Sequence, residues 1–178
     1  MARITLTPPE KAAGVVKEGY DMFMKNIGII PKPMEMLSAS PGLFAFQLDR
    51  IRYFSKHPSL GFALLAHIRY LVACQLNYSC CQDFNRHVLT KLGLEDREIT
   101  AMENDPSKAM LEDNEKAMLA FVVKSVRDPG SVTDSDVGEL RNLGWSDSDM
   151  MDALAQGVSM IDHSIMMQVF KIDQSCMV

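Results

Sequence analysis

The sequence lacks the charge pattern of a nucleic-acid-binding protein. Its 178 residues carry a formal net charge of -5, spread along the chain, and no run of basic residues is longer than a pair. A protein that binds the phosphate backbone needs clustered lysine and arginine side chains to neutralise it. We therefore expect no nucleic-acid partner.

Long apolar runs are absent as well. No stretch approaches the roughly 18 uninterrupted apolar residues from which a membrane-spanning helix is built. The opening segment, from Met1 to Glu10, contains no apolar core of a secretion signal. These two absences predict a soluble, cytoplasmic protein with no membrane partner.

Cysteine is scarce, and its positions do not form a disulfide framework. The four cysteines are Cys74, Cys80, Cys81 and Cys176, so two are adjacent and one lies close to the C-terminus. Small secreted proteins that depend on disulfides have denser and more evenly separated cysteines. We expect these residues to be thiols in a reducing compartment.

Motifs for common cofactors are missing too. The chain has no glycine-rich phosphate loop, no GxSxG elbow and no HExxH, so nucleotide cofactors and serine-hydrolase chemistry have no support. His67, His87, His163 and Asp162 do not have the spacing of metal ligands. The sequence predicts neither a metal nor another cofactor.

No window of the chain alternates apolar and polar residues with the period of a β-strand. Apolar residues recur instead at the three-to-four-residue spacing of a buried helix face. With 47% hydrophobic residues, the chain is long enough to bury one core. We predict an all-α fold of seven to nine helices in a single domain that spans residues 1–178.

Proline, glycine and capping residues give the ends of the predicted helices. Three segments have the spacing in which a side chain caps a helix start: Ser79 with Gln82, Thr133 with Asp136, and Ser146 with Asp149. The expected helices cover 9–27, 34–38, 41–57, 60–76, 80–92, 94–104, 110–127, 137–143 and 147–172.

Cys80 and Cys81 are adjacent in the first turn of one predicted helix. Backbone amides and the helix dipole favour a thiolate at such a position. Cys81 is therefore a candidate nucleophile of low pKa that attacks a peroxide and becomes a sulfenic acid. The alternative is that the cysteines are small apolar side chains that fill the interior.

The surroundings of Cys81 suggest an incomplete redox site. Cys80 is a poor resolving cysteine, because a disulfide between adjacent residues is strained, and Cys176 is a freer candidate. His67 and Tyr78 could relay a proton to Cys81. The alternative for His67 is a hydrogen-bonded histidine of the core.

Several segments occur in an order that resembles a known family. They are GIIP at 28–31, SPGL at 40–43, NYSCCQDFN at 77–85 and LGWSD at 143–147. Together they resemble the carboxymuconolactone decarboxylase and alkylhydroperoxidase D superfamily, in particular its peroxidase-related branch, over residues 28–172. The resemblance implies an all-helical protomer that assembles into dimers, trimers or hexamers. It also implies a glutamate on one helix and a CxxCxxxH motif at the start of the next.

This chain departs from that motif in either register. One register places Tyr78 and Cys81 at the two cysteines, Asn85 at the histidine and Ala66 at the glutamate. A second register places Ser79, Gln82, Arg86 and His67 at the same four positions. We prefer the first, because it keeps a thiol, although neither supplies a CxxC pair.

Two functions are consistent with these residues. The first is a one-cysteine thiol peroxidase that reduces a small organic hydroperoxide through Cys81, with Cys80, His67, Tyr78 and Asn85 as further candidate site residues. The second is a non-redox member of the family that binds a small molecule or performs decarboxylase-like acid–base chemistry through His67 or His87.

Overall fold

A computed structural model of the chain describes residues 2–172, and within them every regular element is helical. The nine α-helices are α1 (Gly14–Ile27), α2 (Lys32–Leu37), α3 (Pro41–Ser55), α4 (Phe62–Gln75), α5 (Ser79–Lys91), α6 (Asp96–Asn104), α7 (Asp113–Arg127), α8 (Asp134–Asn142) and α9 (Asp147–Val169). The all-α prediction of seven to nine helices is confirmed.

Most predicted helix ends lie within two residues of the observed ones, but the starts of α7 and α8 and the end of α9 differ by three residues. The largest difference is near the N-terminus. Gly28 ends α1 in the left-handed conformation, with φ of 76°, and glycine adopts that conformation without a steric penalty. The helix predicted over 9–27 is divided. A 3-10 turn covers Pro9–Lys11, and Ala12 and Ala13 are extended, with ψ of 138° and 162°. Extended residues cannot continue a helix, so α1 begins only at Gly14.

The caps of the last two helices also follow the sequence pattern. The Thr133 hydroxyl accepts a hydrogen bond from the Asp136 amide, and the Asp136 carboxylate accepts one from the Thr133 amide. Ser146 and Asp149 form the same reciprocal arrangement at α9. Each pair satisfies two backbone donors that the first helical turn leaves open.

The described residues form two compact units. The first unit comprises residues 2–57 and 163–172 and contains α1, α2 and α3. In it, Gly19 of α1 lies against Phe44 of α3, where a β-carbon would stand 2.4 Å from the ring. The Tyr20 hydroxyl donates a hydrogen bond to the Thr7 carbonyl oxygen at 2.9 Å. The expectation of one domain over residues 1–178 stays a prediction.

The second unit, Pro58–Asp162, has α4 as its central helix. α4 packs against both α5 and α7, and it is buried on nearly all sides: Leu64, Leu65, Ala66, His67, Ile68, Tyr70, Leu71, Val72 and Ala73 are all buried. Each large aliphatic side chain among them stabilises the unit by about 1.5–3 kcal/mol. No helix within residues 2–172 is both long and apolar enough to cross a membrane.

Candidate functional site

The turn between α4 and α5 brings the two helices together in antiparallel order. Asn77 adopts the left-handed conformation, with φ of 50°, which asparagine tolerates better than most residues. After this turn, Gln82 of α5 donates a hydrogen bond to the Ala73 carbonyl oxygen at 3.1 Å. Further along, Arg69 of α4 donates to Asn85 of α5 at 3.0 Å. Residues near Cys81 therefore face the middle of α4.

The start of α5 differs in detail from the sequence prediction. Tyr78, not Ser79, is the N-cap residue, and no side chain caps the helix. The predicted capping box of Ser79 and Gln82 is wrong, because the Gln82 amide is directed at Ala73 instead. Cys80 and Cys81 do lie in the first turn, as expected.

Four side chains at this place form what we call the Arg69 cluster: Arg69, Tyr78, Cys81 and Asn85. Arg69 Nε donates to Asn85 Oδ1 at 3.0 Å, and Asn85 Nδ2 donates to the Cys81 carbonyl oxygen at 2.8 Å. Asn85 is buried, and both ends of its amide are hydrogen-bonded. The amide thereby fixes the position of the Arg69 guanidinium relative to Cys81.

Cys81 is a free thiol that is only 5% exposed. Burial raises the pKa of this thiol to about 12, although the Tyr78 hydroxyl and the Arg69 guanidinium both lower it. At pH 7 roughly one such thiol in 10⁵ is ionised. The expectation of a low-pKa thiolate at the helix start is therefore wrong, because loss of solvation outweighs the favourable position in the first turn.

The Tyr78 hydroxyl lies close enough to the Cys81 thiol to lower the pKa of that thiol, but no hydrogen bond joins the two side chains. Its oxygen is buried and has no hydrogen-bond partner within residues 2–172. Burial is the main reason that the pKa of Tyr78 is raised, and the neighbouring Cys81 raises it further. An unpaired buried hydroxyl costs on the order of 1–3 kcal/mol, and a hydrogen bond to a ligand would offset this cost.

Arg69 is the one member of the cluster that the sequence reasoning missed. It is half-buried, with its guanidinium 5.7 Å from the centre of the Phe62 ring. Burial lowers the pKa of Arg69 to about 10, which leaves it positively charged at neutral pH. The available signal was that Arg69 is the sole lysine or arginine in the otherwise apolar α4 sequence.

His67 does not form the expected relay to Cys81. Its Nδ1 lies 2.8 Å from the Ala63 carbonyl oxygen, so this nitrogen carries the proton. Its Nε2 is buried without a hydrogen-bond partner in the described part of the chain. Burial lowers the pKa of His67, which keeps the ring neutral. The side chain therefore fits the core histidine that the sequence offered as the alternative.

Neither Cys74 nor Cys80 completes a redox pair with Cys81. Cys80 is fully buried and disulfide-bonded, so the expectation that it is a thiol is wrong. Cys74 is a free thiol whose pKa is raised to about 11, mainly by burial. The proposed resolving residue Cys176 lies outside the described residues.

A second arginine on α5 has a very different environment. Arg86 Nη1 donates to the Tyr70 hydroxyl at 2.9 Å and to Glu103 Oε1 at 3.0 Å, and its Nη2 donates to Asp96 at 3.1 Å. Tyr70 in turn donates to Glu103. Arg86, which the second register placed at the histidine of the motif, thus belongs to a structural network with two carboxylates.

Other parts of the second unit do not add ligands to the Arg69 cluster. A cavity of about 580 Å³ lies at the C-terminal ends of α4 and α7, and no member of the cluster lines it. Within residues 2–172, no three histidine, cysteine, aspartate or glutamate side chains are close enough together to hold a metal ion.

Comparison with known proteins supports the fold. No family model matches the sequence, and no curated protein matches it. Among solved structures, the chain is similar to an alkylhydroperoxidase AhpD core, an uncharacterized peroxidase-related protein from Ralstonia eutropha JMP134. The TM-score is 0.81 at 16% identity, covering 97% of this chain and 91% of that chain.

A second solved structure gives the same result. An uncharacterized peroxidase-related protein from Silicibacter sp. TM1040 matches with a TM-score of 0.78 at 14% identity, again over 97% of this chain and 91% of that chain. The expected alkylhydroperoxidase D-like fold is confirmed. At these identities the likeness concerns the fold, so the chemistry has to be argued from the side chains of this chain.

Proposed function

We propose that this chain is a non-redox, small-molecule-binding protein with the alkylhydroperoxidase D-like fold, and that the Arg69 cluster is its binding site. The observation that carries the proposal is the set of unused donors in one place. Arg69 has no ion pair and Tyr78 has no hydrogen-bond partner within residues 2–172. Buried donors without partners are costly, and hydrogen bonds to a ligand would offset that cost.

The titration behaviour of the cluster argues against catalysis by acid–base chemistry. A general base works best when its pKa is close to the working pH. The pKa values are about 10 for Arg69 and about 12 for Cys81, and the pKa of Tyr78 is raised above its ordinary value. Because no member of the cluster accepts a proton readily at neutral pH, the Arg69 cluster is better suited to binding than to acid–base catalysis.

A peroxide assay tests the proposal that the protein is not a thiol peroxidase. We expect the purified protein and its Cys81→Ser variant to consume tert-butyl hydroperoxide at the same low rate in the presence of a thiol reductant. Cys74→Ser is the matched control, because Cys74 is the other free thiol of the described residues. A rate that falls only in Cys81→Ser would overturn the non-redox assignment.

A thiol peroxidase that uses Cys81 is the second candidate function. It is favoured by one observation: Arg69 and Tyr78 both lower the pKa of the Cys81 thiol, so they would stabilise a thiolate once solvent reached it. The thiolate would attack one peroxide oxygen and form a sulfenic acid while the O–O bond breaks. The departing alkoxide would take up a proton to give the alcohol, and two equivalents of a small thiol would regenerate Cys81 with release of water and a disulfide.

This second candidate predicts a chemical intermediate that can be trapped. Dimedone reacts with a sulfenic acid, and mass spectrometry of the peptide with Cys81 would detect the adduct after treatment with tert-butyl hydroperoxide. An adduct at pH 7 that persists in Cys74→Ser would favour the peroxidase. Its absence, with the thiol intact, would favour the non-redox protein.

The expectations of a homo-oligomer and of a cytoplasmic location stay predictions. The oligomer is tested by light scattering coupled to size-exclusion chromatography. A mass of 19.9 kDa for the eluting species, which is the mass of one chain, would contradict it.

A further inference from the structure

We infer that the Arg69 cluster binds a small organic carboxylate, whose charged group contacts the Arg69 guanidinium and the Tyr78 hydroxyl. The inference rests on the proposed function and names the chemical class of its ligand. Its basis is a half-buried cation, held in a fixed orientation, that has no anionic partner in residues 2–172.

The charge of Arg69 has no counter-ion within residues 2–172, although its side chain is half-buried. Arg86 pairs with Glu103 and Asp96, and Arg141 pairs with Asp147. Arg69 has only the neutral amide of Asn85 and the Phe62 ring. A desolvated charge without a counter-ion is unfavourable, so an anion that enters the cluster gains the full attraction of the guanidinium.

Most N–H donors of the Arg69 guanidinium form no hydrogen bond within residues 2–172. Arginine has five N–H donors in a planar fork, and only the Nε donor is used in the contact with Asn85. The four remaining donors suit the two oxygens of a carboxylate. The Tyr78 hydroxyl, which has no hydrogen-bond partner in the described chain, adds a further donor. Because Asn85 is itself tied to the Cys81 carbonyl, the fork cannot turn away.

Charge and burial favour a monoanion over phosphate. The cluster contains one positive charge, and its other members are neutral at pH 7. A phosphate dianion would be left partly uncompensated, and its larger hydration energy would be lost in a half-buried place. The Cys81 thiolate is the competing internal anion, but the protonated thiol predominates and leaves Arg69 to an external carboxylate.

The Phe62 ring, which lies beside the Arg69 guanidinium, indicates where the rest of the ligand lies. The Phe62 ring is 59% exposed and lies 5.7 Å from the Arg69 guanidinium. An exposed aromatic side chain beside a cation suits a molecule that joins a carboxylate to an apolar body. Aromatic or short aliphatic acids have this combination.

The test compares benzoate with benzamide, which has the same shape without the charge, and with inorganic phosphate. Each is titrated into the full chain, and amide chemical shifts of α4 and α5 are followed by NMR. We expect benzoate to bind more tightly than the other two. We also expect Arg69→Met to weaken benzoate at least tenfold while leaving benzamide within about twofold, since only the charged contact is removed.

Two further variants separate the charge of Arg69 from its packing. Arg69→Lys keeps the charge and should keep part of the benzoate affinity. Arg97→Met removes an exposed arginine that pairs with Glu95 in the same unit, and it should bind benzoate as the original chain does. Thermal melting of each variant shows that it is folded.

The outcomes distinguish the inference from the function on which it rests. If none of the three probes shifts the amides of α4 and α5, both the proposed function and the carboxylate class are wrong. If benzamide binds as tightly as benzoate, or phosphate binds more tightly, the cluster is a binding site but the carboxylate class is wrong. Benzoate binding that Arg69→Met leaves unchanged also overturns the inference.

Discussion

Arg69 of α4 donates from Nε to Oδ1 of Asn85 of α5 at 3.0 Å, and this bond joins a half-buried cation to a neutral amide. At the next residue of each helix, Arg86 of α5 donates in the opposite direction to Tyr70 of α4, and there the charge is balanced by Glu103 and Asp96. The two arginines lie at the same interface between α4 and α5, but only Arg86 has carboxylate partners. Arg86 stabilises the interface, whereas Arg69 is left with unused donors.

Of the two free thiols within residues 2–172, Cys81 should be alkylated more slowly than Cys74. The pKa values of about 12 for Cys81 and about 11 for Cys74 both result mainly from burial, and Cys81 is also the less exposed side chain. Because only the thiolate reacts, we expect each rate with iodoacetamide to rise about tenfold per pH unit through pH 7 to 10. Peptide mass spectrometry measures both sites in one sample. A Cys81 rate that reaches its plateau below pH 8 would contradict the buried, protonated thiol.

Short-range sequence patterns were enough to predict the all-α fold and most of its helix ends. The ends of α1, α3, α8 and α9 depend on Gly28, Pro41, Thr133 and Ser146, whose conformational preferences act within a few residues. The site was predicted less well. The sequence placed Cys81 in the first helical turn, but it could not show how much α4 would bury the thiol, since burial depends on long-range packing. Arg69 was missed because its role arises from the absence of a carboxylate nearby, which only the folded arrangement reveals.

Replacing Arg69 by methionine should stabilise the protein. The variant removes a desolvated, unpaired cation and keeps a side chain of similar length. We expect the free energy of unfolding to rise by about 1 kcal/mol, net of the hydrogen bond that Asn85 loses. Urea unfolding at constant pH measures the change.

Arg86→Met is the variant with which the stability of Arg69→Met is compared. It removes the donor to the Tyr70 hydroxyl oxygen and one of the two donors to the Glu103 carboxylate, which keeps the Tyr70 hydroxyl. Because the network is partly exposed, we expect a loss of about 1–2 kcal/mol. If Arg69→Met were destabilising by as much as Arg86→Met, Arg69 would be a structural residue with a partner, which would contradict an anion-binding role.

Asp136 should make the folded chain sensitive to acid. The Lys124 ammonium, 2.7 Å away, and the Thr133 cap lower the pKa of Asp136 from its ordinary value of 3.8 to about 2. Since the folded pKa lies below the unfolded one, the ionised carboxylate stabilises the fold. This contribution is complete above about pH 4 and is lost as the pH falls toward 2.

The measurement is thermal unfolding of the original chain, Asp136→Asn and Lys124→Met between pH 2 and 5. The difference in Tm between the original chain and Asp136→Asn should shrink as the pH falls through this window. Lys124→Met removes the largest cause of the shift, so its difference from Asp136→Asn should vary less with pH. A constant difference between the original chain and Asp136→Asn from pH 5 to 2 would show that the carboxylate is not held by these contacts.

Gly157 of α9 should tolerate alanine poorly, although alanine is the better helix former. A β-carbon at this position would stand 2.6 Å from Cγ1 of Val122 in α7, and this valine is fully buried. We expect Gly157→Ala to lower the free energy of unfolding by about 1–3 kcal/mol, because a packed core accommodates extra volume badly. In a Val122→Ala background the same substitution should cost less, since the clashing methyl group is gone.

Gly138→Ala in α8 is the control, because nothing lies within 4 Å of its β-carbon position. There the helix preference of alanine should act alone and stabilise the chain by about 0.5–1 kcal/mol. Chemical denaturation of the four variants measures these differences, and equal effects at Gly157 and Gly138 would show that α7 and α9 do not pack this closely.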